Sequence, residues 1–273
     1  MRTLLLTIMI LVSAFGAITH AEQLLTLTKR NTLVLRGVVT SETVSKLEVE
    51  ALVMSLTIQP NETIYLVMDT PGGSVPDGNQ LIDFLKALPQ KVKTVTLFAA
   101  SMGFHIVQNM DERLILNSGT LMSHRASVAG LAGQVPGELN SRLYAEMQNL
   151  KHMDEVCAKR MQYSLEKYRE YIRDELWLDG QDSITYRAAD RVILARCDGT
   201  LNGQSEVELG EFMGATIFGT MSNCPLISGI LSIRIEMGEA EQKNRKEIEE
   251  FAKSYRFDKT NFVKKYVSSG RLL

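Results

Sequence analysis

Two near-continuous apolar runs, each ending in small residues and passing straight into a helical pattern, constrain this chain more than any other feature. Thr63 to Met68 is apolar after its first residue, and the segment Val92 to Phe98 ends in the β-rich apolar run Val95-Thr96-Leu97-Phe98. A run of that kind has no face to offer solvent, so it suits a strand covered on both sides, as in a parallel sheet. The first run leads through Thr70-Pro71-Gly72-Gly73-Ser74 into a helix that ends near Leu88, where Pro89 bars continuation. The second leads through Ala99-Ala100-Ser101 into a helix over Met102 to Met110. Leu33 to Leu35 reads as a further strand. Thr43 to Thr57 reads as a helix through Val44, Leu47 and Ala51, and Arg113 to Leu116 and Thr120 to Ser123 read as strands. The expectation is an α/β fold of βαβ units, a mostly parallel sheet flanked by helices.

Beyond this core the pattern changes twice. Gly137 to Arg173 reads as one long helical region, longer than a small domain needs, and is expected to project and pack against another subunit. From Arg196 the turn signals Cys197-Asp198-Gly199-Thr200 and Asn202-Gly203 open a C-terminal extension. It holds strand-like segments at Ala215 to Phe218 and Leu231 to Ile235, for a hairpin or small sheet. An exposed helix over Gly238 to Ser254 follows, with Glu239/Lys243 and Glu241/Arg245 spaced for ion pairs. The domains expected are 1–21 as a signal peptide, 22–195 as the α/β domain and 196–273 as a small α+β extension.

The start of the chain supports export. Met1-Arg2 precedes an apolar run from Leu4 to Ile18, and Thr19-His20-Ala21 places small residues before a cleavage point at Glu22. An uncleaved anchor is the alternative, but the run is short for a membrane span. A periplasmic or secreted location follows, and with it an oxidising compartment for the three cysteines. Cys157 falls in the long helical region and is expected to be a lone buried thiol, while whether Cys197 and Cys224 pair is left open. A formal net charge of -2 without a dense basic patch argues against nucleic acid as a partner. No metal-ligand cluster or phosphate-cradling loop is apparent, so no metal or cofactor is expected; Gly72-Gly73 is too weak a signal for nucleotide binding.

The chemistry-bearing residues lie in three segments in order: Thr70-Pro71-Gly72-Gly73-Ser74, Ala99 to Gly103, and Met122-Ser123-His124. They offer a glycine turn with backbone amides, a serine where a strand gives way to a helix, and a base, the parts that a serine hydrolase requires. Of the other histidines, His20 falls in the leader and His152 on the long helix. His105, one turn after Ser101, is a minor rival as base.

Over Lys29 to about Ala195 these segments resemble the Clp protease proteolytic subunit, a family of crotonase-like serine peptidases. The resemblance implies Ser101 as nucleophile, His124 as general base, and the amides of Gly73 and Met102 as the oxyanion hole. It also likens Gly130 to Gln134 to the start of the handle that joins two rings, and implies a homo-oligomer. The family's third catalytic residue is usually an aspartate. An ungapped match through Ser164-Leu165-Glu166, Tyr186 and Asp190 puts Glu175 there, two residues before Trp177, with Asp174 as the alternative in a shifted register.

Family members that work with an AAA+ unfoldase carry a longer segment before the first strand, where Glu22 to Thr28 stands here. With the leader, this implies an endopeptidase acting on peptides or unfolded proteins without ATPase assistance. A catalytically silent Clp-like scaffold, a peptidase with a serine/lysine pair like signal peptide peptidase A, and an acyl-CoA enzyme of the wider superfamily are the other readings. The Ser101/His124 pair disfavours all three.

Overall fold

A computed structural model describes residues 24–127, 132–227, 229–238 and 241–254. The expected signal peptide and Gly130-Leu131 of the handle start lie outside the described residues. Ten strands are described: β1 Leu24–Leu27, β2 Thr32–Arg36, β3 Thr63–Thr70, β4 Lys91–Ala100, β5 Glu112–Ser123, β6 Leu176–Asp179, β7 Arg191–Cys197, β8 Gln204–Phe212, β9 Ala215–Ser222 and β10 Ile230–Glu236. The α-helices are α1 Ser41–Thr57, α2 Val75–Ala87, α3 Met102–Asn109, α4 Gly137–Arg160, α5 Leu165–Tyr171, α6 Gly180–Thr185 and α7 Arg245–Ser254.

The main sheet runs β1-β7-β5-β4-β3-β2, all pairs parallel, with β6 added antiparallel to the far half of β5. The two apolar runs are its central strands, β3 and β4, as their composition requires. One face packs Ile64, Leu66 and Met68 against Leu81 and Leu85 of α2, Leu47 of α1 and Ile106 of α3. The other face is a second cluster of Leu27, Val67, Val95, Leu97, Leu114 and Ile193. Burying a leucine or valine side chain of this kind contributes about 1.5–3 kcal/mol, before the entropy of ordering it is subtracted.

Several expectations need correction. The region from Gly137 to Arg173 is not one helix: α4 ends at Arg160, Gln162 turns at φ +60, and Ser164 caps α5 by accepting from Lys167 N. Neither Gly nor Pro marks that break. The strand-like segments 113–116 and 120–123 are one bulged strand, β5. A strand at Leu24–Leu27 precedes the first one expected and pairs with β7.

The extension forms a three-stranded antiparallel sheet, β10-β9-β8, the small sheet of the two forms expected, with the charged segment Gln204–Phe212 as an additional strand. Its last helix is shorter than expected, and the ion pair described there is Arg245–Glu249 at 2.8 Å. That helix is not merely a solvated face: Ile248 and Ala252 are buried, and Phe251 stacks on Phe212. Cys197 and Cys224 are disulfide-bonded. The bond holds the turn after β9 against the end of β7, where Leu201 and Leu226 close over the second cluster. Arg36 ties the same turn down, donating to Pro225 O at 2.9 Å and to Asp69.

Candidate functional site

The site is assembled at one edge of the sheet by strand register. In the β4–β5 pair Ala99 lies opposite Leu121 and Ala100 opposite Met122, so both strands leave the sheet together. Ser101 follows directly on β4 and His124 on β5. The Ser101 N–H donates to Met122 O at 2.9 Å, holding the two exits side by side. Ser101 Oγ and His124 Nε2 are 2.8 Å apart, within reach for the imidazole to take the hydroxyl proton. Ser101 adopts φ 55, ψ -119, a conformation costing about 1–3 kcal/mol for a residue with a Cβ. The strain turns its hydroxyl away from the strand and starts α3 at Met102.

The glycine turn lies against this serine. Gly72 has φ +91, and a Cβ there would sit 2.5 Å from Ala100 O and 2.8 Å from Met102 N and Ser101 Cβ. At Gly73, φ +150, a Cβ would strike Val39 O. Val39 grips the turn from both ends: its N–H donates to Gly72 O at 2.8 Å, and its O accepts from Ser74 N at 2.9 Å. Between those bonds the N–H groups of Gly73 and Met102 donate to no protein acceptor among the described residues. Met102 N belongs to the first turn of α3, where the helix dipole favours negative charge.

Register also separates the two carboxylates. β6 pairs Met122 with Trp177 and Ser123 with Leu176, where the ladder ends; Glu175 directly precedes this strand and His124 directly follows β5. Asp174 falls a residue away, largely exposed and paired with Arg173 at 2.9 Å. Glu175 is exposed, at φ 69, and its Oε2 accepts from Trp177 Nε1 at 2.9 Å. No hydrogen bond joins it to His124 among the described residues. Its charge nevertheless acts on the imidazole: burial pushes the His124 pKa below its ordinary value, and Glu175 partly offsets this. His124 is therefore neutral at pH 7, the state a general base needs.

His105 is no rival. It is buried, and burial, with His152 and Lys86, pulls its pKa down to about 4. Its Nδ1 lies 3.4 Å from Cys157 Sγ and its Nε2 3.4 Å from Asn109 Nδ2. Cys157 is the buried thiol expected, with its pKa raised by burial to about 12 and hence unreactive. Sequence reasoning missed what these residues do together. A cleft of about 440 Å³ opens at Ser101 and His124 and runs between α3 and α4–α5, with His105, Cys157, Ser123 and Tyr168 among its lining. They are spread over four elements between His105 and Tyr168, so no local motif could have shown it. Among the described residues no group of three or more metal-ligating side chains occurs, and no helix is long and apolar enough to cross a membrane.

The sequence matches the family model for Clp protease over residues 17–196. The chain belongs to the Clp protease family. It is 27% identical over 135 residues to the ATP-dependent Clp protease proteolytic subunit of Lactococcus lactis subsp. cremoris, covering 48% of this chain and 67% of that one. It is 28% identical over 148 residues to the ATP-dependent Clp protease proteolytic subunit 2 of Bifidobacterium longum, covering 52% and 69%. At family level this makes it a serine-type peptidase with a Clp-like α/β fold, and the extension after residue 196 lies beyond the matched region.

Proposed function

We propose that this Clp-family chain is an exported serine endopeptidase that cleaves peptides or unfolded proteins through Ser101, His124 and Glu175, without an ATP-driven unfoldase. The observation that carries the reading is the 2.8 Å contact between Ser101 Oγ and His124 Nε2 beside two undonated amides. In this mechanism His124 Nε2 takes the Ser101 proton as Oγ attacks the peptide carbonyl. The N–H groups of Gly73 and Met102 receive the negative charge on the carbonyl oxygen, and the imidazolium then protonates the leaving amine. Glu175 stabilises the imidazolium through its charge.

Export rests on the apolar leader together with the Cys197–Cys224 disulfide, which fits an oxidising compartment. Independence of ATP follows from such a compartment. Self-assembly is supported by the exposed apolar stripe Val49, Leu52, Val53 and Leu56 on α1, and by Leu143 and Tyr144 on α4. A second reading, a catalytically silent oligomeric scaffold, is favoured by one observation: Glu175 is bonded to Trp177 rather than to His124.

Labelling of residues 22–273 with a fluorophosphonate probe, beside Ser101→Ala and His124→Ala, decides between the two. Labelling lost in both variants is the expected result. An assembled, folded protein whose serine does not label would favour the scaffold.

A further inference from the structure

The cleft beside Ser101 has apolar walls and a polar floor. Val75, Met102, Phe104, Leu150 and Met153 line its sides. The floor is made of His105, Cys157, Tyr168 and Ser123, all more than nine-tenths buried. A buried polar group in such a place is expected to be matched by partners, so the donors and acceptors can be counted.

The count starts at Asn109. Its Nδ2 donates to His105 O at 3.0 Å, which fixes the amide orientation, and the same nitrogen faces His105 Nε2 at 3.4 Å. Nε2 is therefore the acceptor, and the single ring proton of neutral His105 sits on Nδ1, facing Cys157 Sγ. The thiol in turn interacts with the Tyr168 side chain, whose hydroxyl lies 2.8 Å from Ser123 Oγ. The floor thus holds four protons on Nδ1, Sγ, Tyr168 Oη and Ser123 Oγ, but only three contacts to absorb them. Whichever way the hydroxyls turn, one donor is left over, and the hydroxyl oxygens keep free lone pairs. An apolar side chain in the cleft would leave that donor without a partner and without water, at a cost of about 1–3 kcal/mol where it is a hydroxyl and less where it is the weakly donating thiol.

We propose that the cleft receives the side chain on the acyl side of the scissile bond and selects a long, uncharged one ending in an amide, glutamine above all. Its methylenes lie along the apolar walls, its carbonyl accepts the surplus proton, and its N–H groups meet the hydroxyl oxygens. Lysine brings only donors and a charge. Glutamate brings a charge to a floor of neutral groups; of the cations that also line the cleft, Arg169 is paired with Asp154 at 2.8 Å, Lys151 with Glu155 at 3.7 Å, and Arg125 is exposed. The assignment rests on the peptidase reading above and deepens it.

The test uses fluorogenic peptides identical except before the scissile bond, with glutamine, norleucine, glutamate or lysine there. The protein is taken as wild type, Tyr168→Phe and Ser123→Ala, and fluorophosphonate labelling of each reports the reactive serine independently. Wild type is expected to favour glutamine over norleucine by about 10-fold in kcat/KM, the scale of one neutral hydrogen bond. Both variants should lose this preference. Norleucine favoured by wild type, or a glutamine preference indifferent to both substitutions, would overturn the assignment and leave the peptidase reading standing. No labelling and no cleavage of any peptide would bring down the peptidase reading and this one with it.

Discussion

The two sides of the site are held very differently. Ser101 and His124 emerge from adjacent parallel strands inside a sheet covered on both faces, fixed to one another through Ser101 N and Met122 O. Farther back, β5 is locked to β7 by Arg113, which is almost fully buried. It bonds both oxygens of Asp190 and also Gln108 Oε1 and Arg187 O. Glu175 instead directly precedes a four-residue strand, exposed, with its carboxylate held by an indole. The nucleophile and base are thus preorganised by the core, and the acid lies outside it.

The largest effect should come from the preorganised side. Ser101→Ala is expected to reduce peptide turnover by about 10⁴-fold or more, with His124→Ala comparable because the two act as a unit. Asp190→Asn should next loosen that side, costing about 2–3 kcal/mol in urea unfolding, at the low end for a broken ion pair because Asp190 is partly solvated. Burial alone would raise the Asp190 carboxyl, but Arg113 and then Arg160 hold it below its ordinary value. Its stabilisation is accordingly complete above the unfolded value of about 3.9 and lost as pH falls through the lower folded value. The variant should therefore converge with wild type in strong acid, and an unchanged gap at low pH would remove the ion pair as the cause.

Glu175→Gln probes the looser side, with about a 10²-fold loss expected. Removing the charge that raises the His124 pKa should also move the acid limb of the kcat/KM profile to lower pH. A shift to higher pH would mean that Glu175 does not face the imidazole. Smallest of all, Asp174→Asn should stay within about two-fold, because it breaks only an exposed pair with Arg173.

How far these features could be read in advance depends on how local their causes are. β3, β4 and the turn into α3 are written in contiguous apolar and small residues, so the sheet core and Ser101 were legible. The choice between Glu175 and Asp174 hung on where β6 begins, a strand too short to show any period. β8 was missed because QSEVELGEF exposes most of its side chains and shows no buried face. The break after α4 rests on a left-handed Gln162, which no residue preference signals. The floor of the cleft needed four elements in three dimensions.

The Cys197–Cys224 bond closes a loop of 27 residues, worth about 3.5 kcal/mol on the chain-entropy account. It has a further meaning for the sheet face beneath Leu201 and Leu226. A segment tethered this close behaves as a ligand at an effective concentration on the order of millimolar, present in every copy and never diluted. Any molecule that sought Leu27, Val67, Val95 and Leu97 from solution would be a competitor against an occupant already in place. Its apparent affinity would be weakened by the ratio of that effective concentration to the occupant's own dissociation constant.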